Sequence, residues 1–218
     1  MITVDTVVFD IGETLVDDSR EFAAWAKWLG VPVHTFSAAF GAGRAYGRDE
    51  ADIFGYFRRA IDLDHERRLR EQAGVGECIE ECDLYPDARP ALTELRARGL
   101  RVGIAGNQTA AVAEQLRRLD LPADVIATSG EWGVRKPDRR FFDRVVAMCG
   151  GDPAAVLYVG DRPDRDVYAA RKAGLRAAWI QGRGVQGYLA ATDPRVRQSA
   201  DLIVSSLTEL ADLIRPTS

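Results

Sequence analysis

Short apolar runs alternate with segments of helical period along most of the chain, and the pattern changes character once. Val7 to Phe9 forms an apolar run that ends on Asp10. After residue 85 the runs LRVGIAGN (100–107), ADVIAT (123–128), AVLYVGD (155–161), RAAWI (176–180) and DLIVSS (201–206) have strand length and turn-forming or polar ends. Between them, TAAVAEQLRRL (109–119) puts Val112, Leu116 and Leu119 on one helical face. RRFFDRVVAMCGG (139–151) does the same with Phe142, Val145, Val146 and Cys149, and stops at Gly150–Gly151. DRDVYAARKAG (164–174) predicts a short helix, and Ser206 with Glu209 forms a capping-box pattern before LTELADLI. This alternation predicts an α/β chain, a parallel sheet with helices on both faces.

Residues 17–85 read differently. Asp18 and Glu21 are placed to cap a helix in which Phe22, Trp25, Ala26 and Leu29 share a face. TFSAAFGAGRAYG, ADIFGYFRRAI and DHERRLREQAG follow, all helical or turn-like, and no strand is predicted there. The segment reads as a helical insertion, and its aromatic stripe of Phe22, Trp25, Trp28, Phe36, Phe40, Phe54 and Phe57 reads as core. The stretch 181–200 reads as an irregular connection rich in Gly and Arg.

Composition narrows the function classes. A chain of 218 residues with a net charge of −4 lacks the basic surplus of a nucleic-acid binder. No apolar run approaches the roughly 18–20 residues of a membrane span, and the opening MITVDTVVFD carries no basic n-region, so no secretory leader is expected there. The three cysteines, Cys78, Cys82 and Cys149, suit reduced thiols in a cytoplasmic protein and have no histidine cluster to complete a zinc site. Basic residues are nearly all Arg, which makes each lysine (Lys27, Lys136 and Lys172) conspicuous.

Ligands of an open parallel sheet bind beyond the carboxyl ends of its strands. Those ends carry Asp10, then Gly106, Asn107, Gln108 and Thr109, then Asp161 with Asp166 five residues on; GVRKPD adds Lys136. Acids converging at one edge repel unless a cation joins them, and carboxylate oxygens suit Mg²⁺. An Asp in that setting can accept a phosphoryl group as an aspartyl-phosphate.

FDIGETL, IAGNQ, VRKPD and VGDRPDRD occur in the order of four motifs, and on them the chain resembles the haloacid dehalogenase-like hydrolase superfamily. The resemblance implies a Rossmann-like α/β core built from 1–16 and 86–218, with 17–85 as a small α-helical cap. It implies a phosphatase of a small phosphorylated metabolite, dependent on Mg²⁺. Asp10 would be nucleophile and metal ligand, and the backbone carbonyl of Gly12, Asp161 and Asp166 (directly or through water) would be further ligands. Lys136 would neutralise the nucleophile and the transferring phosphoryl group. Thr14 would brace the loop after Asp10.

The motifs also depart from the family pattern. Family phosphatases carry a second Asp two residues after the nucleophile, as general acid and base, and here that position is Gly12. The Ser or Thr that holds a phosphoryl oxygen is replaced by Gly106. General acid–base catalysis contributes about 10²–10⁴ in rate, and a lost oxyanion donor costs about 10²–10³. Glu13 is the sequence-level candidate for the missing acid and base; Asn107, Gln108 or Thr109, or backbone N–H groups near Gly106, are candidates for the phosphoryl contact. One alternative is an impaired member that binds a phosphorylated ligand or a protein partner. The other is the family's dehalogenase chemistry, against which the acids of GDRPDRD argue.

Overall fold

The computed structural model describes residues 1–184 and 194–217. A three-residue strand, β1 (Ile2–Val4), precedes β2 (Thr6–Phe9), which is buried along its whole length. Four helices follow: α1 (Ser19–Leu29), α2 (Val33–Ala45), α3 (Glu50–Gly55) and α4 (Leu63–Gln72). Then come α5 (Ala88–Ala97), β3 (Arg101–Gly106), α6 (Ala110–Arg118), β4 (Val125–Thr128), α7 (Ser129–Trp132) and α8 (Arg139–Cys149). The rest is β5 (Val156–Gly160), a π-helical turn (Pro163–Val167), α9 (Tyr168–Lys172) and β6 (Arg176–Ile180). Beyond residue 193 lie α10 (Pro194–Ser199), β7 (Leu202–Val204), α11 (Leu207–Leu213) and β8 (Ile214–Pro216).

The main sheet has the order β4-β3-β2-β5-β6-β7 with every pairing parallel. Side chains alternate between its faces, as a strand period of two requires. Val7, Phe9, Val102, Ile104, Leu157 and Val159 pack on one face with α5, α6 and α11; Val8, Ala105, Val156 and Tyr158 pack on the other with α8, α9 and α10. Phe9 lies level with Ile104 on β3 and Val159 on β5. The three strands therefore end within two residues of one another, and the chain leaves β2 on one side and returns on the other, which opens a crevice at that point.

The helices α1 to α4 have a core of their own. Phe22, Trp25, Phe36, Phe40, Ile53 and Phe54 are buried together, and the Phe36 ring lies within 6.1 Å of those of Phe22, Phe40, Phe54 and Phe57. Arg70, 2% exposed, stacks 4.1 Å over Trp25 and pairs with Glu21 at 2.6 Å. The two ends of this segment meet. Val16 bridges Leu84, Asp17 N–H donates to the Asp83 carbonyl, and Tyr85 N–H donates to the Leu15 carbonyl at 2.9 Å.

Several elements differ from the sequence expectation. The stretch 181–200, expected to be irregular, contains α10, and its residues 185–193 lie outside the described residues. The expected helix over 164–174 is divided into the π-helical turn and α9. β1 and β8 form a separate two-stranded parallel pair, and α5 carries Pro90 in its first turn, where no intrahelical N–H is lost. Asp18 does stand at the N-cap position of α1, but its side chain makes no capping hydrogen bond.

Truncating Phe36, fully buried among four rings, is expected to destabilise the packing of α1, α2 and α3. Phe36→Ala should cost about 3–5 kcal/mol, read as faster amide hydrogen exchange in those helices at unchanged protection of β2 and β5.

Candidate active site

Asp10 follows β2, and its backbone N–H donates to the Val159 carbonyl at 2.8 Å, which fixes its height against β5. Its carboxylate is 2.7 Å from the Lys136 ammonium, and that ammonium is also 2.7 Å from Asp166 Oδ1. Lys136 is 3% exposed. Burial pulls its pKa down, and the carboxylates of Asp10 and Asp166 outweigh that and hold it above the ordinary lysine value. Burial raises Asp166 to about 6, against the opposing pull of Lys136. The second Asp166 oxygen accepts from the Arg162 N–H at 2.9 Å.

Lys136 is held through its backbone as well. Its N–H donates to Asn107 Oδ1 at 2.8 Å, and Asn107 Nδ2 donates to the Lys136 carbonyl at 3.0 Å. Asn107, expected from the sequence to contact a phosphoryl group, thus spends its oxygen and one of its two amide hydrogens on positioning the lysine, and it also lines the cavity.

Asp161, the first residue past β5, accepts from Trp179 Nε1 through its backbone carbonyl at 2.8 Å. Oxygen atoms of Asp10, Asp161 and Asp166 lie within 4.8 Å of one another, and all three residues are buried. The Lys136 ammonium pairs with two of these three carboxylates, Asp10 and Asp166. Hard oxygen donors at this spacing fit Mg²⁺. Gly12, whose carbonyl is the expected fourth donor, lines the same cavity.

The two glycines that break the motif pattern are both filled by carboxylates. A Cβ built on Gly106 would lie 2.5 Å from Asp10 Oδ1, so the Asp10 side chain occupies the space of the missing residue. A Cβ on Gly12 would lie 2.5 Å from Asp18 Oδ2. Burial, with Glu13, Glu77, Asp161 and Asp10 nearby, pushes the Asp18 carboxyl well above the ordinary aspartate range. Sequence reasoning missed this residue as a site group because an Asp before an apolar helix is an ordinary N-cap.

Glu13, the sequence candidate for acid and base, is buried in a left-handed conformation (φ 56°). Its Oε2 accepts from the Tyr85 hydroxyl at 2.6 Å, and its carboxyl group packs where a side chain on Gly184 would stand. Burial raises it to about 7, partly offset by the Tyr85 hydrogen bond. Thr14, expected to brace this loop, is buried with its hydroxyl unpartnered among the described residues; its carbonyl accepts from Arg183 at 2.6 Å.

These groups face a cavity of about 700 Å³ whose far wall comes from α1 to α4. Arg44, Arg135, Arg162 and Arg165 line one side. Burial, with Arg162 and Arg165 adding to it, lowers Arg44 to about 10, and Arg162 Nη1 is buried with no partner among the described residues. Asp18 and Glu77 line the cavity too, and Glu77, half-buried, is raised to about 7 by desolvation with Glu21 nearby, against the pull of its hydrogen bond from Thr109.

The family model of the haloacid dehalogenase-like hydrolases matches residues 4–174. The chain belongs to this family. A phosphoserine phosphatase of Thermus thermophilus is 38% identical over 130 residues, which cover 58% of this chain and 49% of that protein. A glyceraldehyde 3-phosphate phosphatase of Pyrococcus furiosus is 27% identical over 98% of this chain and 94% of its own. The solved structure of a HAD phosphatase from Thermococcus onnurineus superposes with a TM-score of 0.59 at 22% identity, covering 96% of this chain and 97% of that one. The fold that the four motifs imply is thus the fold observed, and the protein is a hydrolase of this family.

Glu77 gives a testable pH dependence. A carboxyl whose folded pKa lies above its unfolded value stabilises the fold while protonated, and the contribution fades as pH rises through the folded value. Between the ordinary 4.5 and about 7 the protein should therefore lose about 3 kcal/mol that Glu77→Gln does not lose. Urea denaturation of both forms at pH 4.5 and pH 8 checks it.

Proposed function

We propose that this protein is a Mg²⁺-dependent phosphatase of a small phosphorylated metabolite, in which Asp10 is the nucleophile. The observation that supports it most is the buried group of Asp10, Asp161, Asp166 and Lys136, gathered beyond the carboxyl ends of β2 and β5 and opening on one cavity. Asp10, Asp161, Asp166 and the Gly12 carbonyl would hold the cation, which when bound supplies charge neutralisation at the phosphoryl oxygens. An oxygen of Asp10 attacks phosphorus, and the alcohol oxygen leaves. Lys136 offsets charge on Asp10 and on the transferring group. Water then attacks phosphorus of the aspartyl-phosphate, releasing inorganic phosphate and the free carboxylate.

The arginine side of the cavity suits a substrate with more than one anionic group. The relatives named above act on phosphoserine and glyceraldehyde 3-phosphate, and small phosphorylated metabolites of that kind suit a cavity of this size. Residues 17–85 would act as the cap over it. Halide displacement by an aspartate needs no cation, and three convergent acids would be a burden to it; they favour phosphoryl transfer. The three free thiols suit a cytoplasmic protein, and no described helix is long and apolar enough to cross a membrane.

The test is a burst experiment with Mg²⁺ and an activated aryl phosphate. Steady phenol release beyond one equivalent is expected, falling to background in Asp10→Asn and by about 10²–10³ in Lys136→Met, which removes a charge stabilising the transferring group. No phenol release from the native protein, with Mg²⁺ binding shown by calorimetry, would replace this reading by that of a ligand-binding relative.

A further inference from the structure

The phosphatase reading leaves one role unfilled, that of the group which protonates the leaving oxygen and then activates water. Gly12 has no side chain for it. Three observations bear on which residue fills the role, and the inference rests on that phosphatase reading.

The first is position. A Cβ on Gly12 would meet Asp18 Oδ2 at 2.5 Å and both Asp18 Cγ and Oδ1 at 3.2 Å. The carboxyl group of Asp18 thus stands where a side chain at position 12 would begin. Glycine leaves this space to it, since a side chain at 12 would have to displace it. The second is freedom. Asp18 stands at the start of α1 but makes no capping hydrogen bond, and no hydrogen bond or ion pair to its carboxyl is found among the described residues. It lines the cavity together with Asp10 and Asp161. The third concerns the competitor. Glu13 is tied by the Tyr85 hydroxyl at 2.6 Å and packed against Gly184, so its carboxyl is held by the surrounding loops.

We infer that Asp18 is the general acid and base of this site, delivering from the start of α1 the carboxyl group that Gly12 lacks. In the first half-reaction an oxygen of Asp10 forms a bond to phosphorus. The bond from phosphorus to the leaving oxygen breaks, and the proton of the Asp18 carboxyl goes to that oxygen, releasing the alcohol. In the second half-reaction the Asp18 carboxylate takes a proton from water as the water oxygen attacks phosphorus. The Asp10–phosphorus bond breaks, and inorganic phosphate leaves. One water is consumed, and Asp18 is again protonated.

The test compares the native protein, Asp18→Ala, Glu13→Gln and the double variant Gly12→Asp/Asp18→Ala. Each is mixed with Mg²⁺ and an aryl phosphate, and phenol release and the mass of acid-quenched protein are followed. Asp18→Ala is expected to release about one equivalent of phenol, to accumulate phosphorylated protein and to turn over about 10²–10⁴-fold more slowly. The double variant, with the carboxyl returned to the same space from position 12, is expected to recover turnover and to lose the trapped phosphoprotein. This recovery also excludes misfolding as the cause of the stall. Full turnover in Asp18→Ala overturns the assignment. So does a stalled phosphoprotein in Glu13→Gln while Asp18→Ala turns over, which moves the base to Glu13. Absence of both phenol and phosphoprotein in the native protein rejects the phosphatase reading itself, and the assignment with it.

Discussion

A buried ammonium between two carboxylates is the contact around which this site is organised. Lys136 lies 2.7 Å from both Asp10 and Asp166. Charges taken out of water are costly, and such a group persists only when every member is compensated; removing one partner typically costs about 3–5 kcal/mol. The surrounding structure supplies the compensation piece by piece. Asn107 grips the lysine backbone from the β3 end, the Arg162 N–H holds the second oxygen of Asp166, and Trp179 fixes Asp161 through its carbonyl. The parallel register of β2, β3 and β5 brings these groups to one level. A sheet shifted by one residue would send Asp10 to the opposite face.

The same economy of space explains the two glycines. At a crowded strand edge, a missing side chain is an opening into which a neighbour can lean. Asp10 leans over Gly106 towards Lys136, and Asp18 leans over Gly12. Read one position at a time, the motifs have lost two functional groups. Read as a packed volume, the carboxyl count around the cavity is maintained, with one acid coming from a position six residues further along the chain.

Much of the fold was legible because burial on both faces imposes continuous apolar runs. The strands over 100–107, 123–128, 155–161, 176–180 and 201–206 all have counterparts in β3 to β7. β1 and β8 are only three residues long and carry little pattern, and the proline in α5 masks a helix that tolerates it in its first turn. α10 hides in a Gly- and Arg-rich stretch. At the site, Asp10 and Asp161 were legible because each directly follows a buried strand, and Lys136 because it stands before a proline in an Arg-rich chain. The partners of Asn107 and the place of Asp18 were not, because both depend on which loop meets which in space. Asp18 carries an ordinary N-cap signature, and only its place over Gly12 and its missing capping hydrogen bond separate it from one.

Glu13 then acquires a different meaning. Its carboxyl ties the loop after β2 to Tyr85, the residue where the chain re-enters the α/β unit. Tyr85 in turn lies 4.2 Å under the Arg183 guanidinium, which donates to the Thr14 carbonyl and pairs with Asp87. The bridge from Val16 to Leu84 closes the same junction from the other side. This network joins the loop carrying Gly12, the exit from the helical segment and the loop after β6. Asp18 hangs from it, two residues past Val16 and one before α1. A carboxyl group that reaches into the cavity from outside the loop after β2 needs its attachment point fixed relative to that loop. The Glu13–Tyr85–Arg183 junction supplies that fixation, which is a physical reason for a glutamate at position 13.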